Sequence, residues 1–209
     1  MKRIAILAVA LTMASTHVMA QTAREVLDAT AARLTKNGAV RANFRATQFR
    51  GITPQEETSG TMLLDGRKFQ MQTPDMMLWF DGKQQWAMQR DASEVNLTEP
   101  TEEEVASVNP AVIVGIYKNG YTATLSRSTL RGRNTYVVHL RATSAKAEFS
   151  DIYIDTERDT FTPLCIRACQ NGDWVRLSIL SFQDGQKTSS SDFTFPKKDY
   201  PKVEVIDLR

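Results

Sequence analysis

The chain has 209 residues, the length of one domain or two small ones, and carries 26 Lys and Arg against 24 Asp and Glu. Lys2 and Arg3 lie in a leading segment expected to be removed, and without them the chain is neutral, which excludes a broad basic field for nucleic acid or an anionic membrane surface. Its two cysteines, Cys165 and Cys169, provide no disulfide framework or metal-ligand spacing, and His139 is the only histidine beyond the leading segment.

In chain order, Lys2 and Arg3 precede an apolar run, Ile4 to Leu11, and Val18-Met19-Ala20 offers a small residue before a cut at Ala20/Gln21. This pattern predicts a cleaved secretory signal over residues 1–20 and leaves 21–209 as the folded unit. The apolar run stops at Thr12, short of the about 18 residues a membrane span requires. Gln21 is not a cysteine, so no lipid attachment site is expected there, and the product is expected to be soluble in an exported compartment.

Ala23, Val26, Leu27, Thr30, Ala31 and Leu34 recur at helical spacing. Thr22 and Glu25 fit a capping box, and Asn37-Gly38 fits a helix stop. From Val40 the period becomes two, through Ala42, Phe44 and Ala46 and onward to Val95 and Leu97. Asp65-Gly66 and Asp81-Gly82 suit tight turns because glycine accepts positive φ, so an antiparallel meander is expected. Thr101 to Glu104 forms a second capping box, and Asn109-Pro110 places a good cap before a proline at the first helical position. These signals favour a short apolar helix within 101–118 over a buried strand. Strands resume from Tyr121 to Phe182, and a last short strand is expected around Val203-Glu204-Val205. The expected class is α+β: a curled antiparallel sheet of about ten strands with two or three helices.

Chemistry is sparse. His139 lies between Val138 and Leu140, where an edge-strand or satisfied sheet histidine is expected, and the chain has no G-x-S-x-G, H-E-x-x-H or P-loop motif. Asp155, Glu157 and Asp159 lack the glycine of a calcium loop and read as a solvated hairpin tip. Cys165 and Cys169 stand four positions apart, about 13 Å along a strand and beyond disulfide reach. No catalytic residue, metal or cofactor is therefore expected.

Composition is more informative. Beyond the leading segment every methionine, Met62, Met71, Met76, Met77 and Met88, falls within residues 62–88, together with Phe69, Trp79, Phe80 and Trp86. Methionine fills core gaps, and it also suits surfaces that adapt to variable apolar ligands. The functional expectation is an apolar cavity on the concave face of the sheet, lined by Phe69, Met71, Met77, Trp79, Trp86 and Met88. Helices at 22–36 and 101–118 would close it, with Val112, Ile113, Ile116 and Tyr117 in the lid.

The leading segment, the first helix, Phe44 to Gln48, Gly60 to Pro74, Asp81-Gly82-Lys83 with Trp86, the Asn-Pro helix, and Phe193-Thr194-Phe195-Pro196 with Asp207 resemble, in order and spacing, the LolA family of periplasmic lipoprotein carriers. Asn96 to Pro110 is most similar to carriers of the Bacteroidetes type. The resemblance implies an incomplete β-barrel with a helical lid, whose cavity takes the acyl chains of lipoproteins. An inner-membrane ABC transporter would supply the cargo, and an outer-membrane receptor is a further candidate partner. A monomer without nucleic-acid partners is implied. The family's Arg-Pro pair, whose arginine helps hold the lid, is absent; Arg67 of Asp65-Gly66-Arg67-Lys68 is the candidate substitute. The alternatives are a binder of another lipid or a sensor of envelope lipoprotein stress on the same fold, and, less favoured, a small periplasmic enzyme.

Overall fold

The computed structural model describes residues 21–209; the expected export signal, residues 1–20, lies outside the described residues. Helix α1 (Ala23–Thr35) starts at a complete capping box, with Thr22 accepting from the Glu25 N–H and Glu25 accepting from the Thr22 N–H. Strands β1 (Ala39–Arg50), β2 (Thr53–Asp65), β3 (Lys68–Gln72), β4 (Met76–Phe80), β5 (Gln85–Gln89) and β6 (Glu94–Thr98) follow as hairpins. Helices α2 (Glu102–Val108) and α3 (Pro110–Gly115), then a 3-10 turn at Ile116–Lys118, interrupt the strands. Strands β7 (Tyr121–Leu130), β8 (Arg133–Ala142), β9 (Asp151–Glu157), β10 (Pro163–Gln170) and β11 (Asp173–Gln186) precede a 3-10 turn at Ser190–Phe193 and β12 (Glu204–Asp207).

All twelve strands form one sheet, in the order β12-β6-β5-β4-β3-β2-β1-β11-β10-β9-β8-β7, so β12 and β7 are edges and the barrel is not closed. Pairing is antiparallel except between β12 and β6. The long β1–β11 pair joins the N-terminal and C-terminal halves, and register shifts between Ala39 and Arg41 and between Asn43 and Phe44 bend it. Opposite Phe44 stands Gly60. A Cβ there would sit 2.9 Å from the Phe44 ring and inside contact distance of the Gln72 carbonyl oxygen, so this crossing requires glycine.

The concave face holds the main core. One row across the strands is Val40, Leu64, Phe69 and Phe80; the next is Ala42, Met62, Met71, Leu78 and Ala87. Val138, Leu140, Ile152, Ile154, Ile166 and Ala168 continue the apolar surface on the other half. Over it lie Val26, Leu27 and Leu34 of α1, Val105 and Ala106 of α2, and Ile113 and Val114 of α3. A helix of six or seven residues is too short to persist alone, so α2 and α3 are held by these contacts.

A second apolar cluster occupies the opposite face. Met77, Trp79, Trp86, Met88 and Val95 pack beneath Phe195, Tyr200 and Val203 of the C-terminal segment. Trp79 meets Phe195 edge-on at 5.6 Å and Tyr200 at 6.5 Å.

Candidate functional site: a roofed concave face

The expected six-residue lining divides between the two faces. Phe69 and Met71 lie on the concave face under the helices, whereas Met77, Trp79, Trp86 and Met88 lie on the convex face under the C-terminal segment. The β3–β4 register is the cause: Gln72 pairs with Met77 and Met71 with Leu78, so Met76, Leu78 and Phe80 are the β4 residues that share a face with Phe69. Every residue of Met76–Phe80 is apolar, so alternation carried no sign there.

The concave face is closed. A space of about 90 Å³ remains beneath α2 and α3, between Pro110 and Ile113 on one side and Ile166, Ala168, Val175 and Leu177 on the other. A second space of about 10 Å³ lies by Phe44, Met62, Leu64 and Leu177. Both are far below the roughly 300–1,000 Å³ of sites that hold small ligands. The Met62–Met71 pair in the floor supplies side chains that can rearrange.

The roof is tied to the rim at the β2–β3 turn. Gly66 takes a φ of 60° there. The next residue, Arg67, donates through Nη1 and Nη2 of its guanidinium to Glu102 of α2, at 2.9 and 2.6 Å. That bidentate pair holds the Glu102 carboxyl below its ordinary value and raises the Arg67 guanidinium. Arg67, the expected latch, thus binds α2 through Glu102, which the sequence reading did not single out. The buried Asn109 makes the second tie: its Oδ1 accepts from the Ala111 N–H at 2.9 Å, capping α3, and its Nδ2 donates to the Arg67 carbonyl at 3.0 Å.

Of the four expected lid residues, Ile113 faces the concave cavity. Val112 and Ile116 line an outer groove of about 540 Å³ between the roof, the β2–β3 turn and the end of α1. Tyr117 reaches α1, where its hydroxyl donates to Asp28 and Arg24 lies over its ring. Burial, with the bond to Asp28, pushes the Tyr117 phenol above its ordinary value. The roof is therefore fastened to the rim by α2 and α3 and to α1 by Tyr117.

His139 is an interior residue of the sheet, since β8 lies between β7 and β9. Its Nε2 is 2.7 Å from Asp151 Oδ1, and its ring stacks on Tyr153 at 4.1 Å. Burial pushes Asp151 up, but hydrogen bonds from His139, Arg141 and Ser150 outweigh it and lower its pKa. Asp155 is not at a hairpin tip; it is buried in β9 and accepts from Arg167 at 3.0 Å. Cys165 and Cys169 are free and buried in β10, and burial pushes the Cys165 thiol up, away from the reactive thiolate. Among the described residues no helix is long and apolar enough to cross a membrane.

The family described as outer membrane lipoprotein carrier protein LolA matches residues 13–172. No curated protein matches the chain significantly. Among solved structures, an uncharacterized conserved protein from Thermus thermophilus is similar at 14% identity and a TM-score of 0.61, with 90% of this chain and 99% of that chain covered. The LolA superfamily protein NE2245 from Nitrosomonas europaea is similar at 10% identity and a TM-score of 0.47, with 84% and 99% covered. LprF from Mycobacterium bovis is similar at 9% identity and a TM-score of 0.49, with 83% and 96% covered. The Thermus likeness is one of fold, and the family match spans more than half of the chain. The chain belongs to the outer membrane lipoprotein carrier protein LolA family.

Proposed function

We propose that the chain is a soluble periplasmic carrier, not an enzyme, that holds the acyl chains of lipoproteins on the concave face and moves them from the inner to the outer membrane. In this reading residues 1–20 are a cleaved signal and 21–209 are the carrier, a monomer. An ABC transporter of the inner membrane loads it, and an outer-membrane receptor or the membrane itself receives the cargo.

The observation that carries the reading is the roof. An apolar floor spanning both halves of the sheet is covered by two helices of seven and six residues, tied to the rim by Arg67–Glu102 and Asn109. Covering the same surface with an acyl chain replaces one set of apolar contacts by another. Each buried methylene contributes about 0.8 kcal/mol, so a sixteen-carbon chain resists water by on the order of 12 kcal/mol, enough to compete with so short a roof. Cargo entry then displaces α2 and α3 while the long β1–β11 and β1–β2 pairs stay intact. Release needs an adaptable floor, which Met62 and Met71 supply.

Mass spectrometry of lipids extracted from the protein purified from its native envelope tests this. Diacylated or triacylated peptides are expected. Free phospholipid alone would make it a binder of another lipid, and no lipid at all would contradict the carrier reading.

A further inference from the structure

The convex face carries an arrangement the roofed cavity does not use. Arg167 of β10 and Arg176 of β11 stand directly opposite each other, a like-charge pairing that disfavours the sheet. Each guanidinium lies over an aromatic ring, Arg167 over Tyr153 at 4.7 Å and Arg176 over Phe49 at 4.9 Å. Asp155 pairs with Arg167, Asp151 is engaged by His139 and Arg141, and Glu57 by Arg45 and Thr47, so the carboxylates on this face leave Arg176 without an acidic partner. The Arg176 guanidinium makes no ion pair or hydrogen bond with any described residue, and its Nε is buried without a partner. The two arginines open on a depression of about 350 Å³ walled by Phe49, Tyr153 and Trp174.

Two neighbours say what this depression faces. Val175, between Trp174 and Arg176, lines both the depression and the space under the roof, so the two lie back to back at the same end of the sheet. Gly51, in its wall, leads into Ile52 at the β1–β2 turn, an aliphatic side chain that is 96% exposed and packs on nothing.

We propose that this end of the convex face docks on the anionic headgroups of a phospholipid bilayer, with Arg176 and Arg167 sharing a headgroup phosphate and Ile52 and Trp174 entering the interface. Guanidinium forks match phosphate oxygens, and a ring such as that of Trp174 favours the boundary between headgroups and acyl chains. A free phosphate gives Ile52 no partner, and an acidic peptide leaves that aliphatic tip in water; a bilayer accepts all three. The neutral chain supplies no general attraction to a membrane, so the contact is local, and it sets the end of the sheet that lies under the roof at the lipid surface. Docking of this kind needs no acylated cargo, so its failure and the failure of the carrier reading are distinguishable.

The test is co-sedimentation of the cargo-free protein with vesicles of phosphatidylcholine alone or mixed with phosphatidylglycerol. The expected result is binding to the mixed vesicles and little to the neutral ones. Arg176→Gln should weaken that binding about fivefold, the effect of one arginine near an anionic surface, and Ile52→Ser should weaken it as well. Arg127→Gln, on the edge strand β7, should leave it unchanged. Arg176→Gln should fold about as stably as the parent, since relief of the like-charge opposition offsets the lost contact with the Phe49 ring. Equal binding to both vesicle types, or full binding by Arg176→Gln, would overturn the proposal. So would binding of inorganic phosphate or poly-glutamate at Arg176 without vesicle binding, which would assign the site to a free anion or a protein partner.

Discussion

Asn109 donates from Nδ2 to the carbonyl of Arg67 at 3.0 Å while its Oδ1 caps α3, so the residue that starts one roof helix also fixes that helix to the rim. Arg67 in turn grips Glu102 of the other roof helix. Beside the apolar contacts of the roof and the Tyr117 tie to α1, its polar fastening to the rim is made at one turn by few bonds.

Replacing Asn109 by Ala removes the cap and the buried hydrogen bond together. The expected cost is about 2 kcal/mol or more by chemical denaturation. Asn109→Asp keeps the cap but has no donor for the Arg67 carbonyl, so hydrogen exchange over 102–115 should rise while α3 remains helical. Unchanged exchange in Asn109→Asp would show that the tie does not hold the roof.

The Arg67–Glu102 pair is exposed and should add little to global stability. Its pH dependence is nonetheless readable. The folded pKa of Glu102 is lowered, so the latch is fully present above the ordinary glutamate value of 4.5 and is lost as pH falls through the lower folded value. An NMR titration of the Glu102 carboxyl should show a midpoint below 4.5, and Arg67→Ala should return it toward 4.5.

Substitutions on the two faces should separate. Leu177 is half-buried and lines the concave spaces, so Leu177→Asp should weaken acylated-peptide binding with a small loss of stability. Trp79 is fully buried on the convex face, and Trp79→Ala should cost about 3–5 kcal/mol by denaturation, loosening Phe195 and Tyr200. Under conditions where it stays folded, it should bind acylated peptide as the parent does.

Much of the fold was legible in sequence because local chemistry specified it. Thr22 with Glu25, Thr101 with Glu104, and Asn109-Pro110 are caps whose hydrogen bonds form as the spacing predicts. The α+β class and the curled antiparallel sheet likewise follow from the change of period at Val40 and the Gly turns, while the incomplete barrel came from the family resemblance. The facing of β4 was not legible, because Met76–Phe80 is buried on both sides: helices cover one and the C-terminal segment the other. Alternation along β1 at Val40, Ala42 and Phe44, carried across the strand pairs, was the signal that could have located the concave floor. Glu102 escaped notice because its partner is 35 positions away, across three hairpin turns.

Gly60 provides a check on how the sheet curls. Gly60→Ala sets a methyl against Phe44 and the Gln72 carbonyl, so either the β2–β3 pair or the Phe44 ring must move. A loss of about 1–3 kcal/mol in denaturation is expected, as for other overpacked sites. A variant as stable as the parent would show that β2 has room at this crossing.

In the proposed carrier, acyl chains occupy the concave face beneath α2 and α3. A diacylated peptide carrying a photoreactive group along one acyl chain tests it most directly, with the cross-linked residues identified by mass spectrometry. Adducts are expected on Phe44, Met71, Leu78 or Ile166 of the floor and on Ile113 of the roof. Adducts confined to the convex face, on Trp79, Trp86 or Met88, would contradict it.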